Sequence, residues 1–159
     1  MRIVYFKLRG IEIGEKVWIL VDLARQAGIK SGKLKIGNRC ILCANTLFMC
    51  GDGYNLLLKR NKDGPRKNDE IIIKDNSFIG IGAIIMNGVT IGPNAIVGAG
   101  AVVVDDVKPN TCVAGNPSRY ICNLDTYAKV SEGMLIDGYG ELRQRAVNKG
   151  DFLSKYFWK

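Results

Sequence analysis

From Ile73 to Lys108 the chain reads, in steps of six, IKDNSF IGIGAI IMNGVT IGPNAI VGAGAV VVDDVK. The first residue of each step is Ile73, Ile79, Ile85, Ile91, Val97 or Val103, always aliphatic and β-branched. The fourth is Asn76, Gly82, Gly88, Asn94, Gly100 or Asp106, the types that tolerate left-handed backbone. The fifth is Ser77, Ala83, Val89, Ala95, Ala101 or Val107, all small or medium. Neither the helical period nor simple strand alternation produces a step of six. Three short strands per turn do. The aliphatic residue fills the interior of a triangular prism, the fourth residue takes the corner, and the small fifth residue lets the chain bend there. Residues 73–90 then form one turn and 91–108 the next, with turns stacked at the strand spacing of about 4.8 Å. The pattern is expected to stop near Pro109.

Outward from this stretch the pattern weakens. Ile13-Gly-Glu-Lys-Val17-Trp, Ile36-Gly-Asn-Arg-Cys40-Ile and Leu42-Cys-Ala-Asn-Thr46-Leu each fit one step. Residues 20–33 fit poorly and are expected to bulge outward. Residues 51–70 break the pattern and carry Lys59, Arg60, Lys62, Asp63, Gly64, Pro65, Arg66 and Lys67, a polar, turn-rich composition that predicts a long loop extruded from the prism. The expected organisation is a β-helix domain over residues 1–122 and a C-terminal tail over 123–159. The tail shows weak helical periodicity at Leu124, Tyr127 and Ala128, and an aromatic end at Phe152, Tyr156, Phe157 and Trp158 that predicts packing on the core or on a neighbouring subunit.

Composition narrows the chemistry. The chain has 159 residues, a length for one domain. Its net charge of +8 suits a polyanionic partner or plain solubility. There is no histidine, which removes the commonest general base and metal ligand. Five cysteines, an odd number, with charged Arg2 after Met1 and no long apolar run, predict a soluble cytoplasmic chain with free thiols and no membrane insertion. Cys40-x-x-Cys43 lacks a second ligand pair for structural zinc, and Cys40 falls at a small-residue place, so burial is expected and no metal. Cys50, beside the basic loop, is a weak candidate for a reactive thiol. The basic run 59–67 holds no aromatic, so no nucleic-acid partner is expected.

The segment from Ile71 to Ile121, with Gly88-Val-Thr-Ile-Gly92, Ile96-Val-Gly-Ala-Gly100 and Ala114-Gly-Asn-Pro117, resembles the core of the hexapeptide-repeat acyltransferases. It is most similar to the maltose- and galactoside-type O-acetyltransferases and to enzymes that acetylate bacterial surface polysaccharides. The resemblance implies an all-β, left-handed parallel β-helix assembled as a homotrimer. It implies acetyl-CoA as acyl donor in a groove between two prisms, and a sugar or glycan hydroxyl as acceptor. It also implies a loop histidine as general base and a backbone N–H that polarises the thioester. Carried over by position, the polarising amide belongs to Ile81, and Ala99, Val104, Asp105 and Arg119 line the cofactor. The family's Asp-Gly-His loop ending is Asp52-Gly53-Tyr54 in this chain, so Tyr54 and Asp52 are the catalytic candidates. Three readings stay open: O-acyl transfer that uses Tyr54, Asp52 or a water; N-acyl transfer to an amino sugar, which needs no side-chain base; and a binding or scaffold protein that has lost the chemistry.

Overall fold

The computed structural model describes residues 10–21, 33–50 and 70–134. The expected bulge over 20–33, the loop over 51–70 and the distal tail lie almost entirely outside these residues.

Thirteen short strands in the described residues form three sheets. The first side of the prism stacks β1 (Glu12–Ile13), β3 (Leu34–Ile36), β6 (Ile71–Ile73) and β9 (Thr90–Ile91). The second stacks β2 (Trp18–Ile19), β4 (Ile41–Leu42), β7 (Phe78–Ile79), β10 (Ile96–Val97), β12 (Thr111–Ala114) and β13 (Arg119–Asn123). The third stacks β5 (Leu47–Met49), β8 (Ile84–Met86) and β11 (Val102–Val103). The chain visits the three sides in rotation, and every pairing except β12–β13 is parallel. Ile73 pairs with Ile91, Ile79 with Val97 and Ile85 with Val103, an 18-residue turn on all three sides.

The first residue of each step lines the interior. Ile79, Ile85, Ile91, Val97 and Val103 are all 0% exposed, and upstream Ile36, Leu42 and Phe48 continue the same columns. The fifth residues pack inside the corners. Where this residue is polar it satisfies itself locally. The Ser77 hydroxyl donates to the carbonyls of Lys74 and Gly92, at 2.8 and 3.0 Å, and that of Thr46 donates to Cys43 O at 2.8 Å. Cys40 is buried as expected, and its thiol donates to Lys74 O at 3.2 Å.

Five of the six expected corners from Asn76 to Gly100 have positive φ. Two corrections concern the sixth. Asp106 is not left-handed, and the pattern does not stop near Pro109. Ile91 bridges to Val107 and Val97 pairs with Val113, so this last turn is 16 residues long instead of 18. Val107, expected as a small corner residue, therefore becomes an interior residue, 5% exposed. The Asp106 carboxylate replaces the missing residues by accepting the Thr90 N–H at 2.7 Å. The pattern then resumes, with Asn110 at a left-handed corner (φ 56°).

The stack closes differently on each side. On the second, β13 returns antiparallel along β12 and runs into helix α1 (Leu124–Met134). On the third, residues 115–118 cover the edge of β11, with Val102 N–H donating to Gly115 O and Ser118 N–H to Val102 O. On the first, Asp106 and Val107 occupy the edge of β9. Asn123 caps α1 through Thr126 N–H at 2.7 Å. Among the described residues, no helix is long and apolar enough to cross a membrane.

Candidate functional site

The third residue of each step lies at a corner beside the left-handed fourth residue, and its side chain differs from one edge to the next. On the edge between the first and second sides these residues are Glu15, Asn38, Asp75 and Pro93. Asn38 Oδ1 accepts the Glu15 N–H at 2.9 Å, and Asp75 Oδ1 accepts the Asn38 N–H at 2.8 Å. The bonds from Asn38 hold the Asp75 carboxyl below the ordinary carboxylate range. Beside them runs a second ladder. Arg39 Nε donates to Asn76 Oδ1 (2.6 Å), Asn76 Nδ2 to Asn94 Oδ1 (3.0 Å), and Asn94 Nδ2 to Asn110 Oδ1 (2.8 Å). On this edge the Glu15 and Asn38 amides are capped by side chains of the next turn.

On the edge between the second and third sides the equivalent residues are Ala44, Ile81 and Ala99, none of which bears an acceptor. Gly100 N–H donates to Ile81 O at 2.8 Å, and Gly82 N–H to Ala44 O at 3.0 Å, which stacks the three corners in line. The amides of Ile81 and Ala99 donate to no protein acceptor among the described residues. Ile81 is 54% exposed, an aliphatic side chain held in solvent beside bare N–H groups. Close stacking depends on Gly80, where a Cβ would lie 2.5 Å from Ala99 N and 2.7 Å from Gly98 C.

The sides that flank this edge are apolar outside as well as inside. The second presents Trp18, Ile41, Phe78 and Ile96 in one row, and the third presents Leu47, Ile84 and Val102. The first side is polar by comparison, and its Lys35 pairs with Glu12 and Glu70 at 3.6 Å each.

The candidates read from sequence fall into three places. Ile81 and Ala99 come together on the bare edge. Arg119 is exposed at the start of β13, paired with Ala114, whose Cβ lies beside Gly98 at the end of the same edge. Its Nη1 donates to Ser118 O at 3.0 Å, which leaves the rest of the guanidinium in solvent. Val104 and Asp105 lie on the shortened corner between the third and first sides. There Asp105 lines a shallow groove of about 310 Å³ with Lys108, Thr111, Ser118 and Tyr120. Tyr54 and Asp52 lie outside the described residues. Cys50 is buried, which pushes its thiol up to about 11 against the pull of Lys33, so it is protonated at neutral pH. Sequence reading missed the contrast between the edges, although its signal was present in the third residues of the steps.

Residues 70–105 match the family model for the bacterial transferase hexapeptide (six repeats). Protein CapG of Staphylococcus aureus is 33% identical over 118 residues, which cover 74% of this chain and 69% of CapG. The chain belongs to the hexapeptide-repeat transferase family. Within that family, the galactoside O-acetyltransferase of Escherichia coli is 38% identical over 87 residues, 54% of this chain and 42% of the relative. The crystal structure of a hexapeptide-repeat acetyltransferase from Vibrio cholerae complexed with acetyl coenzyme A has a TM-score of 0.57 and 28% identity, covering 73% of this chain and 61% of that one. The chain thus spans less than half the length of the E. coli relative.

Proposed function

We propose that this protein is an acetyl-CoA-dependent acetyltransferase whose acceptor is a sugar hydroxyl, of a surface polysaccharide or a small glycoside. The observation that carries the reading is the bare edge, where the Ile81 and Ala99 amides stand exposed between two apolar sides. Bound acetyl-CoA supplies the activated acetyl group. The Ile81 N–H then serves as the fixed donor for negative charge developing on the carbonyl oxygen, where a preorganised dipole acts most strongly. The Ala99 amide, one turn on, is available to the pantetheine arm. In this reading Arg119 meets a phosphate with a charge-assisted hydrogen bond, and the resemblance assigns Val104 and Asp105, on the corner between the third and first sides, to the cofactor as well.

In this reading the coil winds left-handed, and the apolar second and third sides pack against other copies in a homotrimer. Each bare edge is thereby turned into a groove between two prisms. Tyr54 and Asp52 belong to the acceptor side, where Tyr54 replaces the usual histidine and Asp52 or a water assists proton removal. The acceptor is a small molecule or glycan, and the setting is cytoplasmic.

The absence of any histidine in the chain favours a second reading, transfer to the amine of an amino sugar. A neutral amine attacks without a base and releases its proton afterwards. Thiol release from acetyl-CoA, measured against a panel of sugars and amino sugars, tests both. Turnover on sugars that rises in Tyr54→His supports O-transfer. Turnover confined to amino sugars and unchanged in Tyr54→Phe supports N-transfer. No turnover on any acceptor, together with no thermal shift on adding CoA, leaves a scaffold.

A further inference from the structure

Cys112 and Cys122 are direct partners across the antiparallel β12–β13 pair. Cys112 occupies the outward row of the second side, in register with Ile96 and Phe78, yet it is only 4% exposed. The return strand is its neighbour in the sheet, and α1 contacts both β12 and β13. Cys122 is half-buried. Opposed residues of an antiparallel pair have Cα atoms about 4.5–5.5 Å apart. A disulfide needs about 4.4–6.8 Å. The register shift just after Cys112 leaves Ile121 unpaired between Cys122 and Tyr120 and adds local twist at the pair. Cys40, Cys43 and Cys50 lie on other corners and strand ends, each in a separate place on the coil.

We infer that Cys112 and Cys122 are a reversible thiol–disulfide pair, a modification site that staples the return strand and α1 to the last turn of the prism. The oxidant is a low-molecular-weight disulfide of the glutathione type. The half-exposed Cys122 attacks as thiolate, forms a mixed disulfide and releases one small thiol. Cys112 gives up its proton and attacks the Cys122 sulfur, the Cys112–Cys122 bond forms, and the second small thiol leaves. The protein loses two hydrogens, and the small disulfide is reduced to two thiols. Burial, reinforced by the neighbouring Cys122, pushes the Cys112 thiol up to about 11, so closure is the slow step and speeds up as pH rises toward that value. The staple closes a short loop that carries Asn116, Pro117 and Arg119, and it fixes the strand from which Arg119 projects.

The test equilibrates the folded, reduced chain with glutathione buffers of rising disulfide content, quenches by alkylation and maps the peptides by mass spectrometry. The expected product is a Cys112–Cys122 linked peptide, lighter by two hydrogens, with Cys40, Cys43 and Cys50 alkylated. The unfolding midpoint should rise by several degrees on oxidation and fall back on reduction, and neither change should occur in Cys122→Ser. A glutathione adduct that persists on Cys122, a link to any other cysteine, or five alkylated thiols at every buffer ratio overturns the inference. The peptide map needs only the wild-type chain, so a poorly folding variant does not compromise it.

Discussion

The first and second edges of the prism are built from the same six-residue step and treat its third residue in opposite ways. On the first edge, Asn38 and Asp75 turn their side chains back to cap the amide one turn away. On the second, Ala44, Ile81 and Ala99 bear no side-chain acceptor, and the Ile81 and Ala99 amides have no acceptor among the described residues. The difference costs the backbone almost nothing, because both edges use left-handed fourth residues and the same parallel pairing. It shows that a repeat can hold its fold in the first, fourth and fifth places and vary its surface chemistry through the third alone.

The comparison can be broken in several places. The largest effect is expected from Gly80→Val. Its Cβ meets backbone on the next turn, which cannot swing aside, so the loss should exceed about 4 kcal/mol and a urea melt should show little folded protein. Next comes Ala99→Asp, which grafts the capping device of Asp75 onto the bare edge. A carboxylate there should accept the Ile81 N–H and lower acetyl transfer by roughly 10²–10³-fold. The melting temperature should stay within a few degrees of wild type, and full activity would remove the Ile81 amide from the chemistry.

On the capped edge, Asn94→Ala should cost about 2 kcal/mol in urea titration, part from an alanine at positive φ and part from two lost ladder bonds. Asn94→Gly should recover the backbone part only. A full recovery would mean that the ladder contributes nothing. Arg119→Ala should raise the KM for acetyl-CoA about fivefold to tenfold, with kcat and stability unchanged, as loss of one charge-assisted bond predicts. The smallest effect concerns pH. Asp75 titrates below its ordinary range in the folded chain, so its stabilising share is complete above the unfolded-state pKa. That share is lost as pH falls through the lowered folded-state value. Asp75→Asn should flatten this acid limb slightly in a pH series of melts, and an unchanged limb would assign it to other carboxyls.

Much of the fold was legible because the interior column is chemically strict. A β-branched aliphatic every six residues leaves few other ways to bury it, and the 18-residue turn followed directly. The upstream turns were fainter for a specific reason. Lys16 and Arg39 occupy left-handed corners, at φ 52° each, where composition rules look for Gly, Asn or Asp. Arg39 is held there by its bond to Asn76, a tertiary contact that no local pattern announces. Asp106 misled in the opposite direction. Its residue type fits a corner, but its carboxylate caps Thr90 and the turn is short, a choice settled by the neighbouring strand. The site was legible only as positions. Family resemblance proposed Ile81, Ala99 and Arg119 as positions, whereas the contrast between the edge of Ile81 and Ala99 and the other edge required knowing which corners stack.

The way the stack terminates has a consequence for the molecule's behaviour in concentrated solution. A column of parallel rungs ends in unpaired strand edges that invite further pairing. Here a carboxylate, a peptide segment and an antiparallel strand each occupy one of the three exposed ends. Removing them should leave these edges free to pair with strands of other molecules. The departure from the repeat after Val103 therefore works as a stop signal against such association.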